Sequence, residues 1–260
     1  MDSDDRAAIA AELADGLRRA LEVGELVVYY QPEYDVGTGR VVAVEALCRW
    51  CHPQHGLLLP VQFIEVAEAH GLMARISDFV LEESGRRIGE WHRQGAEIGV
   101  SINVSPSQLD PAFAEGVLRH VTELGLPQGV LTVEITESPE ISFSEPELSA
   151  LASLIDGGVG VSLDDFGTGH TTLELVERLP ITEVKIDRSL VQDDSDETDA
   201  VVRDCIRVAH GRGATVVAEG IENQEHFARA VAWGVDRAQG YFFAPPLPAD
   251  ELTPLLVGAL

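Results

Sequence analysis

The segment "VGVSLDD" (residues 159–165) shows the pattern that decides the fold, a short apolar run that ends in charged side chains. Helical patterns such as residues 76–95, 196–213 and 224–235 alternate with such runs, and glycines such as those at 157–158 end the helices. The other strand-like segments are "LVVYYQPEY" (26–34), "VVAVEAL" (41–47), "IGVSINVS" (98–105), "LTVEITE" (131–137), "EVKID" (183–187), "TVVAEGI" (215–221) and "AQGYFF" (238–243).

Eight strands alternating with helices predict an α/β protein with a single (β/α)8 TIM-type barrel, a fold of typically about 250 residues. Only "DVGTGR" joins the first two strands. Because a parallel crossover needs roughly a dozen residues, we expect the first strand to be antiparallel to the second. A doubly wound open sheet is the alternative, but the glycine-rich phosphate loop that usually follows its first strand is absent from the sequence.

Each strand from the second onward carries polar side chains at or near its C-terminal end. Residues two apart share a face of a strand, which pairs Ser101 with Asn103 and Lys185 with Asp187. One such group could be purely structural, but seven strands in register favour a site at the barrel mouth, where this fold places active sites. The polar groups are Glu45, Asn103, Glu134, Asp164 with Asp165, Lys185 with Asp187, Glu219 and Gln239.

The acidic groups predict a metal centre. Burying several carboxylates together without compensation is costly, and hard oxygen ligands without a His or Cys cluster favour Mg²⁺ or Mn²⁺ over zinc. The pair Asp164 and Asp165 offers one carboxylate that could bridge two ions and a second that could hold one of them, a common need in two-metal hydrolysis of phosphate esters. Glu219 is then a candidate general base.

Lys185 is the only lysine in a chain whose other basic side chains are arginines. Lysine is a compact point charge that fits a tight pocket, whereas arginine is a wide planar fork. Beside the acidic cluster, Lys185 could hold a carboxylate or the attacking water in place, or offset charge on a phosphoryl oxygen.

The formal net charge of −26 argues against non-specific binding to nucleic acid or anionic lipid. Three cysteines predict a reducing cytosol rather than a disulfide framework. Cys48 and Cys51 form a C-x-x-C, which we interpret as structural because no second pair lies at zinc-site spacing. Residues 1–24 predict an amphipathic lead-in helix before a barrel domain at 25–260, and no apolar run is long enough for a membrane span.

Several motifs, in order along the chain, resemble the EAL-domain family, the bacterial phosphodiesterases specific for cyclic di-GMP. The set spans about residues 25–248, and its order makes it specific where a single three-letter match would not be. The motifs are "YYQP" (29–32), "EALCRW" (45–50), "NVSPSQL" (103–109), "VEITES" (133–138), "LDDFGTG" (163–169), "VKIDRS" (184–189), "AEGIEN" (218–223) and "QGYFFAPPLP" (239–248).

The resemblance implies an enzyme that opens cyclic di-GMP to linear pGpG with water activated by two Mg²⁺ or Mn²⁺ ions, and that Ca²⁺ inhibits. Lys185 and Glu219 would act in catalysis with Glu222 as a supporting acid, and Glu137 would anchor the loop after "DDFGTG". The implied metal ligands are Glu45, Asn103, Glu134, Asp164, Asp165 and Asp187, and the implied substrate contacts are Gln31, Leu47, Arg49 and Gln239.

The resemblance also implies a homodimer near residues 165–180, and it allows an upstream sensory or cyclase domain. His170 with Thr171 and Thr172 departs from the family's usual aromatic and two serines, which affects expectations for the loop and the dimer more than for the reaction. A receptor that binds cyclic di-GMP without cutting it is the alternative, but such members usually lack a catalytic residue. A barrel enzyme for another metal-bound phosphate substrate is a third hypothesis.

Overall fold

The computed structural model describes residues 3–136, 143–168 and 172–257, with side chains from residue 13 onward. Strands and helices alternate along most of this length. The strands are β1 Leu26–Asp35, β2 Val41–His52, β3 Gly56–Leu58, β4 Gly99–Val104, β5 Leu131–Thr136, β6 Gly160–Phe166, β7 Glu183–Ile186, β8 Thr215–Ala218, β9 Arg237–Ala238 and β10 Leu247–Pro248. The helices are α1 Ser3–Val23, α2 Ile64–Ala69, α3 Met73–Arg93, α4 Pro111–Leu124, α5 Glu145–Asp156, α6 Leu173–Arg178, α7 Arg188–Gln192, α8 Asp196–Gly211, α9 Gln224–Trp233 and α10 Ala249–Val257.

Eight strands close into a barrel in the order β1, β2, β4, β5, β6, β7, β8, β9 and back to β1. The first strand pairs antiparallel with both of its neighbours, opposite Trp50 at Leu26 and opposite Ala238 at Tyr34. The other neighbouring pairs in the barrel are parallel. The predicted barrel and its antiparallel first strand are therefore confirmed.

The eighth predicted strand, residues 238–243, is wrong in its extent. Pairing ends at Ala238, and the chain then turns, with Phe242 N donating to the Ile221 carbonyl at 2.9 Å. Gly240 has a φ of +152°, and a Cβ there would lie 2.2 Å from the Ile221 carbonyl oxygen. The conformation of residues 239–243 is therefore set by this close contact between two backbones and not by strand pairing.

The position of Glu45 also differs from the prediction, because Glu45 lies in the middle of β2 and not near its end. Beyond the part that pairs with β4, β2 continues as a hairpin with β3, with Trp50 opposite Leu58. Asp187 likewise lies just past the end of β7, and its side chain accepts from Ser189 N at 2.8 Å as the N-cap of α7.

Helix α1 packs on the outside of the barrel. Leu17 and Ala20 are fully buried in the common core, and Leu13 and Leu21 pack against it. The amphipathic pattern therefore identified the buried face, whereas the division into residues 1–24 and 25–260 stays a prediction. Among the helices that the structure describes, none combines the length and apolarity needed to cross a membrane.

Candidate active site

Lys185 lies at the centre of an acidic cluster inside the barrel mouth. Its side chain is fully buried, and Nζ lies 2.7 Å from Glu219 Oε1 and 3.1 Å from Glu134 Oε1. Glu45 and Asp164 are at 3.3 and 3.9 Å from the same nitrogen. The strands β2, β5, β6 and β7, together with the segment after β8, thus converge on one ammonium group.

Two amides fix the carboxylates in this cluster. Gln239 is buried, and its Nε2 donates to Glu45 Oε2 at 2.9 Å and to Glu219 Oε1 at 2.7 Å. Asn103 Nδ2 donates to Glu45 Oε1 at 2.9 Å. Each oxygen of Glu45 therefore accepts a hydrogen bond from a different amide, and Gln239 links Glu45 to Glu219 by donating to both.

Asp164, Asp165 and Glu219 form a group suited to a metal ion. One carboxylate oxygen from each lies within 4.8 Å of the other two. Asp165 has a φ of +57°, the one positive value among the non-glycine residues described, and the Asp164 carboxylate accepts from Asp165 N at 2.9 Å. This uncommon backbone conformation turns two successive aspartates toward the same space.

Burial and mutual repulsion set the protonation of the cluster. Burial raises the pKa of Glu134, Glu219 and Asp164, although Lys185 opposes the change. Burial, followed by Asp164 and Asp187, raises the pKa of Asp165 to about 6. Burial would also raise the pKa of Glu45, but Lys185, Gln239 and Asn103 outweigh it and lower that pKa.

Burial alone would lower the pKa of Lys185, but Glu134, Glu219, Glu45 and Asp164 outweigh it and raise the pKa well above the ordinary value. One ammonium cannot balance this many carboxylates, and the raised carboxylate pKa values express the excess negative charge. The acidic side chains offer only oxygen ligands, one oxygen each of Asp164, Asp165 and Glu219 lies close enough to the others to share an ion, and the excess negative charge calls for cations. The residues present therefore fit a hard divalent metal such as Mg²⁺ or Mn²⁺.

Asp187 contributes to the same field from just past β7. Its charge raises the pKa of both Asp164 and Asp165. Its side chain also caps α7, one residue after β7 ends at Ile186, so the expected position of Asp187 on the same strand face as Lys185 stays a prediction. The negative charge of Asp187 therefore acts on the aspartate pair.

A cavity of about 660 Å³ opens next to the acidic cluster, between the mouth ends of β2 and β4. Glu45, Leu47 and Asn103 line it together with apolar side chains such as Ile64 and Met73. This volume is in the range of small-molecule pockets.

Three of the predicted substrate contacts lie on β1 and β2. Gln31 stands opposite Glu45 in the β1–β2 pairing, and Leu47 follows two residues after Glu45 on the same face. Arg49 is buried, donates from Nη1 to the Cys48 carbonyl at 2.9 Å, and has its guanidinium 5.7 Å from the centre of the Tyr29 ring. The fourth predicted contact, Gln239, is the amide that holds Glu45 and Glu219.

Other predictions fall outside this arrangement. Glu222 is exposed at the start of the segment leading into α9. Glu137, His170 and Thr171 lie outside the described residues. Cys48 is buried and Cys51 exposed, and neither forms a disulfide among the described residues, so the structural interpretation of the C-x-x-C stays a prediction.

The sequence analysis missed a second set of buried charges inside the barrel. Glu33 and Glu183 are both buried, and Arg237 contacts each of them. The signal was present, because Glu33 follows Gln31 by two residues and Glu183 precedes Lys185 by two, which places each pair on one strand face.

The fold and the mouth define a class, a closed (β/α)8 barrel with an acidic, metal-compatible site at the C-terminal ends of its strands. The EAL domain model matches residues 14–246. This chain belongs to the EAL domain family.

Two curated relatives show what similar chains are called. The bifunctional diguanylate cyclase/cyclic di-GMP phosphodiesterase MucR of Pseudomonas aeruginosa is 36% identical over 246 residues, which are 93% of this chain and 36% of that protein. The cyclic di-GMP phosphodiesterase PdeR of Escherichia coli is 35% identical over 240 residues, which are 91% of this chain and 36% of that protein. The chain thus spans about a third of the length of these relatives.

Solved structures agree with the family assignment. The PaMucR phosphodiesterase in complex with c-di-GMP superimposes with a TM-score of 0.86 at 35% identity, covering 93% of this chain and 99% of that one. The EAL domain of Mycobacterium smegmatis DcpA superimposes with a TM-score of 0.76 at 34% identity, covering 90% and 98%.

Proposed function

We propose that this chain is a metal-dependent phosphodiesterase that hydrolyses cyclic di-GMP to linear pGpG and so lowers a bacterial second-messenger signal. The observation that carries the proposal is the convergence of Glu45, Glu134, Asp164 and Glu219 on the ammonium of Lys185. The names of the family relatives supply the substrate class.

The acidic residues would hold two Mg²⁺ or Mn²⁺ ions. When bound, such ions supply Lewis acidity, lower the pKa of water and neutralise phosphate charge. Asp164 and Asp165 follow each other near the end of β6, and the positive φ of Asp165 aims both carboxylates at one space, so this pair is suited to serve both ions. The proposed ligands are Glu45, Asn103, Glu134, Asp164, Asp165 and Asp187.

Glu219 is the proposed general base. Burial raises the pKa of this carboxyl above its ordinary value, and a base with a raised pKa holds an accepted proton more firmly. Gln239 and Lys185 both bind Glu219 Oε1, at 2.7 Å each, and this orients the carboxylate toward Asp164 and Asp165. Lys185 in turn supplies a fixed positive charge in a buried site, where such a charge stabilises developing negative charge best. Glu222, which is exposed at the surface, is proposed as a supporting acid near Glu219.

The substrate would lie across the mouth, with one part of the dinucleotide in the 660 Å³ cavity. Arg49 would meet a phosphate, and Gln31 and Leu47 would contact the base or ribose from β1 and β2. Gln239 would contact substrate only in addition to holding the two carboxylates. Glu137 stays a predicted anchor for the loop after residue 168.

The test is incubation of the folded protein with cyclic di-GMP and either Mg²⁺ or Mn²⁺, with products followed by chromatography. We expect pGpG with one or both metals. A substrate panel of other phosphodiesters separates this activity from that of a barrel enzyme with a different substrate. Tight binding of cyclic di-GMP without product in any metal would contradict the proposal and favour the receptor alternative.

We further propose that Ca²⁺ inhibits the enzyme, that it works in the cytosol, and that it dimerises near residues 165–180. Sedimentation of the wild type and of a variant in the exposed part of α6, such as Glu174→Arg, checks the dimer. A charge reversal within the interface should shift the protein toward monomer, and an unchanged sedimentation coefficient would place the contact elsewhere.

A further inference from the structure

The barrel has a second polar cavity at the end opposite the acidic mouth. It measures about 350 Å³ and is lined by the first residues of several strands, including Gly160, Glu183, Thr215 and Arg237. Interiors of this fold are usually filled by bulky branched side chains. Small residues such as Gly160, where a Cβ would lie 2.6 Å from Thr132 Oγ1, keep this end from being filled in the same way.

Two buried carboxylates in this cavity share one arginine. Arg237 Nη1 lies 3.0 Å from Glu183 Oε2 and 3.4 Å from Glu33 Oε2. Glu33 and Glu183 are only 1% and 5% exposed. With both carboxylates ionised, the three side chains carry one uncompensated negative charge. Lys185, the next cation inside the barrel, is already surrounded by four other carboxylates.

Oxygen atoms that line the cavity lack partners within the described part of the chain. Glu33 Oε1 and Ser101 Oγ are buried and accept or donate no hydrogen bond there. Ser101 is 3% exposed, comes from β4 and lines the same cavity as Arg237. Buried polar atoms are rarely left unpaired, so these two atoms indicate that something else occupies the space.

We infer that the cavity at the N-terminal end of the barrel binds a small monovalent inorganic cation, held by Glu33 Oε1 and Ser101 Oγ. A monovalent ion brings the net charge of the cavity to zero, whereas a divalent ion would leave it positive. Its ligands are oxygen atoms only, which suits a hard cation. The site is separate from the acidic mouth, and its occupation would stabilise the barrel from the opposite end.

The test compares thermal unfolding in NaCl, KCl and tetramethylammonium chloride at equal ionic strength and pH 8, in EDTA. Equal ionic strength is essential because any salt screens the repulsion within a chain of net charge −26. We expect Tm in NaCl or KCl to exceed Tm in tetramethylammonium chloride by about 3 °C for a site that is well occupied. Tetramethylammonium is larger than Na⁺ or K⁺, and its methyl groups shield its charge from oxygen ligands, so it serves as the cation that does not bind.

Two variants locate the effect. Glu33→Gln and Ser101→Ala should each remove the difference between the inorganic and organic salts. Glu97→Gln removes one exposed charge near the same end of the barrel and should keep it. Ser101→Ala leaves all charges in place, so it decides the matter even if Glu33→Gln does not fold.

Equal Tm values in the three salts for the wild type would overturn the inference and leave a cavity that holds water alone. A difference that persists in both Glu33→Gln and Ser101→Ala would also overturn it, because the cation would then bind elsewhere. Neither result depends on turnover of cyclic di-GMP.

Discussion

At the scale of single residues, the ammonium of Lys185 lies within 4 Å of four carboxylates. A guanidinium is wider and planar, and its fork of N–H donors would have to enter a fully buried site that is occupied by a compact ammonium. The only lysine of the chain therefore stands where arginine would not fit. Composition alone singled out Lys185, and the burial of its side chain gives a steric reason for lysine rather than arginine at this position.

We predict that Lys185→Arg lowers kcat by at least about 100-fold, because a displaced cation no longer stabilises charge at the reacting phosphate. Circular dichroism should show that the fold survives. The exposed Arg207→Lys provides the opposite exchange on the surface and should leave kcat unchanged. A Lys185→Arg enzyme with near-normal turnover would refute the assigned role.

Glu219→Gln tests the proposed base with minimal change of shape. We expect a loss of about 100-fold to 10,000-fold in kcat, the range for removal of a general base. Steady-state kinetics at saturating metal measures it, and the exposed Glu225→Gln serves as the control. If Glu219→Gln and Glu225→Gln hydrolysed cyclic di-GMP with similar kcat, Glu219 would not be the base.

At the scale of elements, backbone hydrogen bonds join the segment after β8 to the segment after β9. Ile221 N donates to the Gln239 carbonyl at 3.1 Å, and Phe242 N donates to the Ile221 carbonyl at 2.9 Å. These bonds hold the segments that carry Glu219 and Gln239 in a fixed relation. The carboxylate–amide bond of 2.7 Å between the two side chains depends on this backbone contact.

We predict that Gly240→Ala destabilises the protein by more than about 2 kcal/mol and lowers turnover as well, because the new Cβ would collide with the Ile221 backbone. Urea unfolding and steady-state kinetics measure the two effects. Gly89→Ala, in α3 with no atom within 4 Å of the new Cβ, is the matched control. We expect it to be neutral or stabilising by about 0.5–1 kcal/mol. Equal stability of the two variants would contradict the close packing of these segments.

Much of this architecture could be predicted from the sequence, since the apolar runs located the barrel strands and the short link "DVGTGR" indicated the antiparallel first strand. The short β9 could not be predicted, because "AQGYFF" has a strand-like composition and only the contact with Ile221 turns it away. The two bonds of Gln239 to Glu45 and Glu219 join residues far apart in the chain, so no local pattern encodes them. The left-handed conformation of Asp165 was likewise invisible in the pair "DD".

At the scale of the whole molecule, buried acids at both ends of the barrel link stability to pH. Burial, followed by Glu183, raises the pKa of Glu33 to about 7 from an ordinary value of 4.5. A carboxyl whose pKa is raised on folding stabilises the folded state at low pH, and that contribution is lost as the pH rises through 7. The metal-free protein should therefore become more stable as the pH falls from 8 to 5.5.

We predict that Glu33→Gln reduces this pH dependence by about 2 kcal/mol between pH 5.5 and pH 8. Urea unfolding in EDTA at the two pH values measures it. Glu97→Gln controls for the removal of one charge from a strongly acidic chain. A pH dependence that is the same in the wild type and in Glu33→Gln would show that Glu33 titrates alike in the folded and unfolded states.

Because the net charge is −26, the molecule should repel a doubly charged anionic dinucleotide unless cations bind at the mouth. The most direct test treats the protein with EDTA, removes the chelator, and titrates Mn²⁺ at a fixed concentration of cyclic di-GMP while pGpG is followed by chromatography. We predict no product without metal, a rate that rises with Mn²⁺, and no recovery in Asp164→Asn or Asp165→Asn. Formation of pGpG at the full rate in excess EDTA, or in the two variants, would contradict the account.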